Sequence, residues 1–404
     1  MSGQVDDIIR LAARGDGVTA GGQHVKLAVP GDHVGPDGEV HAGPHHIDPA
    51  CKHFHQCGGC QLQHADETVL SSFVRDRVVN AAKGQDLAIG QLLDTHLSPP
   101  QSRRRATLHA VKTGKAAVIG YREGGSHRIV DLQQCPVLRP ELSRLLPALR
   151  RLIAEHGPKG NVDLSMTLCD QGIDLGLTHF PLEGLAATEG VRDFAQENGL
   201  ARLTLDDGYG AQTVWEPEPV TITFAGMAVS MPPGAFLQAT DDAQALMLAD
   251  ASAALAEAAI IADLFSGLGT FAFALAQSGP AGRKVLAAEA ERAAHLSCKV
   301  GAARTGGRVI SIHRDLFRNP LQANELSRFD AVLLDPPRAG AKAQIAQIAQ
   351  STCPLVVYVS CNPSSWARDA AVLGAHGFVL EQLRPVGQFR WSTHVELISV
   401  LRRR

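Results

Sequence analysis

The chain of 404 residues sets 38 Lys and Arg against 41 Asp and Glu, a formal net charge of -3, which excludes a uniformly basic nucleic-acid-coating protein and leaves RNA affinity to local patches. Hydrophobic residues make up 45% and charged residues 20%, no apolar run reaches membrane-spanning length, and residues 1–14 show neither a signal-peptide core nor an Arg-rich transit pattern. The length exceeds one ordinary core and the 8 cysteines are too few for a disulfide scaffold, so two or three domains in a reducing, cytoplasmic setting are expected.

Residues 1–50 carry short apolar stretches such as Val25-Lys26-Leu27-Ala28-Val29 and the turn Pro30-Gly31-Asp32, which predict a small β unit. A loop bearing Cys51, Cys57 and Cys60 follows. The spacing of Val69, Leu70, Phe73, Val74, Val78 and Val79 then predicts a helix over Glu67–Lys83. Arg103-Arg104-Arg105, with Lys112 and Lys115 nearby, reads either as a solvated basic face or as an RNA-facing patch. Alternation on both sides of Lys112-Thr113-Gly114-Lys115 predicts a hairpin, and Pro140–His156 a helix. Strands at 164–168 and 172–177 complete a mixed α+β block. After Pro232-Pro233-Gly234 the character changes. A helix is expected over 240–258, then strands at 285–288, 309–312, 331–334, 355–359 and 394–401 alternate with helices from residue 260 onward, the pattern of a doubly wound α/β domain. The expected division is 1–50, 51–232 and 233–404.

Three strand ends carry the chemistry. Asp263-Leu264-Phe265-Ser266-Gly267-Leu268-Gly269 is a strand turning into a helix through glycines that let a ligand approach the backbone, with Ala272 where a dinucleotide fingerprint has its third glycine. Glu289 ends the next strand, where an acid can accept from ribose hydroxyls, and Asp315 and Asp335 follow later strands. Each acid alone reads as a helix cap; their recurrence points to a nucleoside-bearing ligand. Cys361 ends the apolar run Leu355-Val356-Val357-Tyr358-Val359 at the same edge, where a thiol is placed to act as a nucleophile. Cys169, Cys298 and Cys353 read as inert buried thiols. Glu396, among apolar neighbours, is either a desolvated proton acceptor or a structurally satisfied carboxylate. Cys51, Cys57 and Cys60, with Cys135 beside Pro136, read as metal ligands on a glycine-rich loop. Zinc and a [4Fe-4S] cluster both accept four thiolates, and His53 and His55 keep a zinc variant open.

Phe236-Leu237-Gln238, the Asp263 to Gly269 turn, Asp335-Pro336-Pro337-Arg338-Ala339-Gly340, Val359-Ser360-Cys361-Asn362-Pro363 and His394-Val395-Glu396 together resemble the RNA uracil-5 methyltransferase family, in order and spacing through the C-terminal half. The resemblance implies a Rossmann-like methyltransferase domain with S-adenosylmethionine as methyl donor. Cys361 would then be the nucleophile and Glu396 the base, with Gln238, Phe265, Glu289 and Asp335 contacting the cofactor. The Thr270 position is often Asn in relatives and receives no ligand role. The quartet Cys51, Cys57, Cys60 and Cys135 is similar to that of family members acting on ribosomal RNA, which hold a [4Fe-4S] cluster, and this implies large-subunit (23S) ribosomal RNA as partner. The N-terminal unit resembles a shortened TRAM domain, an OB-like RNA-binding module. No membrane and no obligate protein partner are implied. Two rival readings share parts of the pattern. An RNA cytosine-5 methyltransferase also uses thiol attack at C6 but places a cysteine in the acid-proline strand end, where this chain has Pro337-Arg338. A non-catalytic, metal-stapled RNA-binding protein would need only the cysteines.

Overall fold

The computed structural model describes residues 6–404, whose strands form four sheets. The largest runs in the order Val309–His313, Lys284–Glu289, Ile260–Leu264, Ala331–Leu334, Leu355–Ser360, Glu396–Arg403, Phe378–Gly387 and Ile89–Leu92. Its first five strands are parallel. Every residue of Ala331–Leu334 and of Leu355–Ser360 is buried, as expected of strands covered on both faces by helices. One face packs Val332, Leu334, Val356 and Tyr358 against Ile345, Trp366 and Leu373. The other packs Leu333, Val357 and Val359 in the core that also holds Phe271, Phe273 and Met247. This is the doubly wound α/β architecture, with the parallel strands all ending at one edge.

Glu396–Arg403 enters antiparallel between Leu355–Ser360 and Phe378–Gly387. Its register sets Ser360 opposite Leu397, so Cys361 and Glu396 are the next residues along the two chains. The strand expected at 394–401 therefore begins at Glu396, and the helix expected over 240–258 is Asp241–Ala254, capped by the Thr240 hydroxyl accepting from the Ala243 amide.

The middle of the chain forms a six-stranded, largely antiparallel sheet in the order Gln212–Trp215, Arg202–Asp206, Gly172–Thr178, Asn161–Cys169, Arg105–Thr113 and Ala116–Gly120. The helices Pro140–His156 and Gly184–Glu197 share its core through Leu145, Leu149, Val191 and Phe194. The expected block 51–232 is not one packing unit. Helix Glu67–Lys83, capped by Asp66 Oδ1 accepting from the Val69 amide, buries Val69, Phe73 and Val78 in the core of the large sheet. Ile89–Leu92 then adds to the outer edge of that sheet, parallel to Phe378–Gly387. Val220, Ile222, Phe224 and Val229 likewise pack with Phe271 and Phe273. The N-terminal unit is a five-stranded antiparallel sheet within residues 6–41, with a small core of Ile8, Ala28 and Val34. Buried Asp32 organises its turns, accepting from the amides of Val29 and Gly43 and pairing with His46. No described helix is long and apolar enough to cross a membrane.

Candidate active site and cysteine cavity

The strand Leu355–Ser360 delivers Cys361 to the sheet edge, and Asn362 stops the strand and caps the next helix. The Asn362 side chain accepts from the Ser364 amide and donates to the Arg338 carbonyl, tying the cysteine turn to the Asp335-Pro336-Pro337-Arg338 turn beside it. Cys361 and Glu396 line one cavity of about 560 Å³, together with Arg338, Gln388, Phe389 and His394 from the unit of the large sheet and Arg105, Thr107 and Met166 from the central one. Burial, and then the charges of Glu396 and Asp335, push the Cys361 thiol up to about 11; Arg338 pulls the other way. Glu396 is 5% exposed, and burial pushes its carboxyl up to about 7 against the pull of Gln388 and Arg338. A carboxyl near neutrality in a cavity is suited to receive a proton.

The expected cofactor residues stand at the neighbouring strand ends. Gln238 Nε2 donates to Asp335 Oδ2 at 2.9 Å. Gln388 Nε2 in turn donates to Gln238 Oε1 at 3.2 Å, while Gln388 Oε1 accepts from the Ala239 amide at 3.1 Å. Glu289 accepts from the Gly267 amide at 2.8 Å, so the second strand end braces the glycine turn of the first. Phe265 holds a left-handed φ of 62° in that turn, its ring 5.4 Å from Phe317. Such a conformation in a non-glycine residue is maintained at binding turns by the surrounding structure. Gly269, at φ 92°, could carry no side chain: a Cβ there would meet the Phe273 ring at 2.6 Å. Asp315 accepts from the amides of Phe317 and Arg318 and shapes its own turn.

Asp263 is fully buried, and neither of its side-chain oxygens has a hydrogen-bond partner among the described residues. Burial pushes it up to about 8. Asp335 is raised well above the carboxylate range by burial, then by Glu396 and Asp263. None of the three carboxylates Asp263, Asp335 and Glu396 has an ion pair among the described residues. A group of acids lacking a cation at the glycine turn fits a nucleoside ligand that bears positive charge, and S-adenosylmethionine carries a sulfonium and an ammonium.

Arg103-Arg104-Arg105 forms neither a solvated face nor a simple basic patch. Arg104 is 3% exposed; it donates to the Gln238 carbonyl and the Gln244 side chain and pairs with Asp241. Arg105 donates to the Leu237 carbonyl and lies over the Phe236 ring. These side chains strap the central sheet to the segment that presents Gln238, and the acceptors are backbone carbonyls, which a residue pattern does not reveal. Arg338, Gln388 and Phe389 also escaped the sequence reading as site residues in their own right; Arg338 stands four positions past Leu334, and Gln388 and Phe389 follow the strand Phe378–Gly387, which the pattern did not predict.

Cys51, Cys57, Cys60 and Cys135 line a second, much smaller cavity of about 20 Å³ with Phe54, Leu132 and Val137. Gln63, itself buried, accepts from the Cys51 amide. Gly59 donates to Cys57 Sγ and lies so close to Tyr121 that a Cβ would sit 3.3 Å from its ring. Burial pushes Cys60 up to about 12 and raises Cys57 and Cys135, with the neighbouring thiols adding to it. His53 and His55 do not line this cavity, and His53 Nε2 accepts from the Gln133 amide at 3.0 Å. Among the described residues no three His, Cys, Asp or Glu side chains converge as a single-ion site. Four thiols lining one cavity are the donor set that a [4Fe-4S] cluster takes, and zinc accepts the same set. Cys169, Cys298 and Cys353 are buried away from both cavities.

Comparison with known proteins places this geometry in context. Residues 218–404 match the family model described as tRNA (Uracil-5-)-methyltransferase. Over 97% of its length the chain is 48% identical to an uncharacterised RNA methyltransferase of Zymomonas mobilis, covering 98% of that protein. It is 32% identical to the 23S rRNA (uracil(1939)-C(5))-methyltransferase RlmD of Pectobacterium carotovorum, over 88% of this chain and 80% of that one. The fold is shared with the Pyrococcus abyssi tRNA (uracil-54, C5)-methyltransferase solved with S-adenosyl-L-homocysteine, at a TM-score of 0.75 and 21% identity, covering 98% of this chain and 100% of the other.

Proposed function

Because the chain belongs to the RNA uracil-C5 methyltransferase family and is such an enzyme, we propose that it methylates C5 of a uridine in 23S ribosomal RNA, with Cys361 as nucleophile and Glu396 as base. The observation that carries the reading is the register Ser360 opposite Leu397, which sets Cys361 and Glu396 side by side at the mouth of one cavity. The all-thiol cavity and the likeness to the Pectobacterium enzyme support ribosomal RNA as the substrate. The domains we assign are an RNA-binding β unit at the N-terminus, a central α+β unit, and a methyltransferase unit that also recruits residues 67–97.

Uracil C5 is a weak nucleophile, and the chain's task is to change that. The Cys361 thiolate adds to C6, and the electron pair of the C5–C6 double bond moves onto the C5–C4–O4 system. S-adenosylmethionine, when bound, supplies the methyl group to C5; Gln238, Phe265, Glu289 and Asp335 would hold it. Glu396 then takes the C5 proton, the C5–C6 double bond re-forms, and the Cys361 thiolate leaves. The base must be unstacked to expose C6, so a flipped uridine enters the cavity. Arg338, reaching both Cys361 and Glu396, steadies negative charge as it passes between sulfur and ring. Cys51, Cys57, Cys60 and Cys135 would hold a [4Fe-4S] cluster in a structural role.

Cys361→Ala should abolish methylation and also covalent trapping by RNA containing 5-fluorouridine. Glu396→Gln should trap a methylated RNA–protein adduct visible on a denaturing gel. Methylation by the alanine variant, or the absence of any adduct with the glutamine variant, removes these residues from their roles.

A further inference from the structure

The cysteine cavity and the catalytic cavity share a wall made by Gly59, Arg103 and Tyr121. Tyr121 is the unexplained member. Its hydroxyl is buried and has no hydrogen-bond partner among the described residues, although an orphaned phenol inside a protein is rare and calls for an acceptor. Tyr121 lines the same cavity as the thiols of Cys57, Cys60 and Cys135, and its ring is held against Gly59 beside Cys57. Arg103 is the positive charge on the same wall. Its Nε donates to the Arg105 carbonyl, its guanidinium lies 5.1 Å over Phe389 of the catalytic cavity, and its charge acts on Cys135.

We propose that the Tyr121 hydroxyl donates a hydrogen bond to the iron–sulfur group held by the four cysteines, raising its reduction potential and slowing its loss. The inference rests on the cluster reading above and adds a donor that is not a ligand. Hydrogen bonds to cluster sulfurs stabilise the more negative, reduced state, so deleting one lowers the potential. The same bond satisfies the phenol, which otherwise stands in an apolar interior at a cost.

The test compares the full-length wild type with Tyr121→Phe, both purified anaerobically. Iron and acid-labile sulfide are counted, the midpoint potential is titrated by electron paramagnetic resonance, and loss of the visible chromophore is timed under chelator. The variant should start with wild-type iron and sulfide, titrate at a lower potential, and lose its cluster roughly tenfold faster. Equal potentials and equal loss rates overturn the proposal. A cluster-free background made by Cys57→Ala supplies a second readout. There Tyr121→Phe should leave the melting temperature unchanged or raise it, because it deletes only an unsatisfied hydroxyl. A lower melting temperature in that background means the hydroxyl has a protein partner, and also overturns the proposal. Stoichiometric zinc without sulfide in the wild type would instead remove the cluster reading itself, an outcome distinct from an iron–sulfur protein indifferent to Tyr121.

Discussion

Replacing the proposed base should make the cofactor-free protein more stable at alkaline pH while ending its turnover. Burial pushes Glu396 from 4.5 up to about 7. The folded state therefore binds the Glu396 proton more tightly than the unfolded chain does. Between those two values the folded protein keeps a proton that the unfolded chain has released, so stability falls as pH rises through this window and stays lower above it. At about 1.4 kcal/mol per pH unit, the full cost on the wild type is about 3 kcal/mol. Glu396→Gln keeps the shape of the side chain and removes its ionisation. The variant and the wild type should melt together near pH 4.5, and the variant should gain steadily to several degrees at pH 8. Thermal unfolding at four pH values between 5 and 8, without cofactor or RNA, reads this directly. Parallel pH profiles for the two proteins would refute the reasoning, because they would mean that Glu396 is solvated or already paired in the folded state.

Arg104→Met tests the strap that presents Gln238. It removes charged hydrogen bonds to the Gln238 carbonyl and the Gln244 side chain, and it should destabilise the protein by about 2–3 kcal/mol. S-adenosylmethionine affinity should fall about tenfold by calorimetry, and unchanged affinity would detach the strap from the cofactor site. The Cys361 thiol, pushed up to about 11, predicts that cofactor-free adduct formation with 5-fluorouridine RNA climbs roughly tenfold per pH unit from pH 7 towards 10, since only the thiolate attacks. A plateau already present at pH 7 would contradict it.

The sequence was most legible where burial writes itself into composition. Leu355-Val356-Val357-Tyr358-Val359 reads as a strand because both faces are covered, and Glu67–Lys83 reads to its ends because Asp66 caps one and Gly84 the other. Periodicity shows that a helix has an apolar face but not which core receives it, so the transfer of residues 67–97 to the large sheet was not visible. The proposed nucleophile and base could each be located, whereas their adjacency depends on the register of two distant strands. Arg103-Arg104-Arg105 misled for a related reason: a run of charges reads as surface unless the carbonyls that satisfy it are seen. Tyr121 carries no signal in the residue pattern, and its missing partner emerges only when the wall between the two cavities is built.

The charge distribution at the catalytic end also bears on when the thiol can react. Asp263, Asp335 and Glu396 crowd the strand ends without an ion pair, and Glu396 and Asp335 both oppose ionisation of Cys361. Arg338 is the charged group that favours the ionised forms of both Cys361 and Glu396, but it sits exposed at the lip. A cation lodged beside Asp335 would lower the pKa of the thiol and of the carboxyl together, because one added positive charge stabilises both anions. With no such cation, burial and the charges of Glu396 and Asp335 keep the thiol pKa raised. On the proposed mechanism, a methyl donor bearing positive charge beside Asp335 would therefore favour the thiolate that Glu396 and Asp335 disfavour.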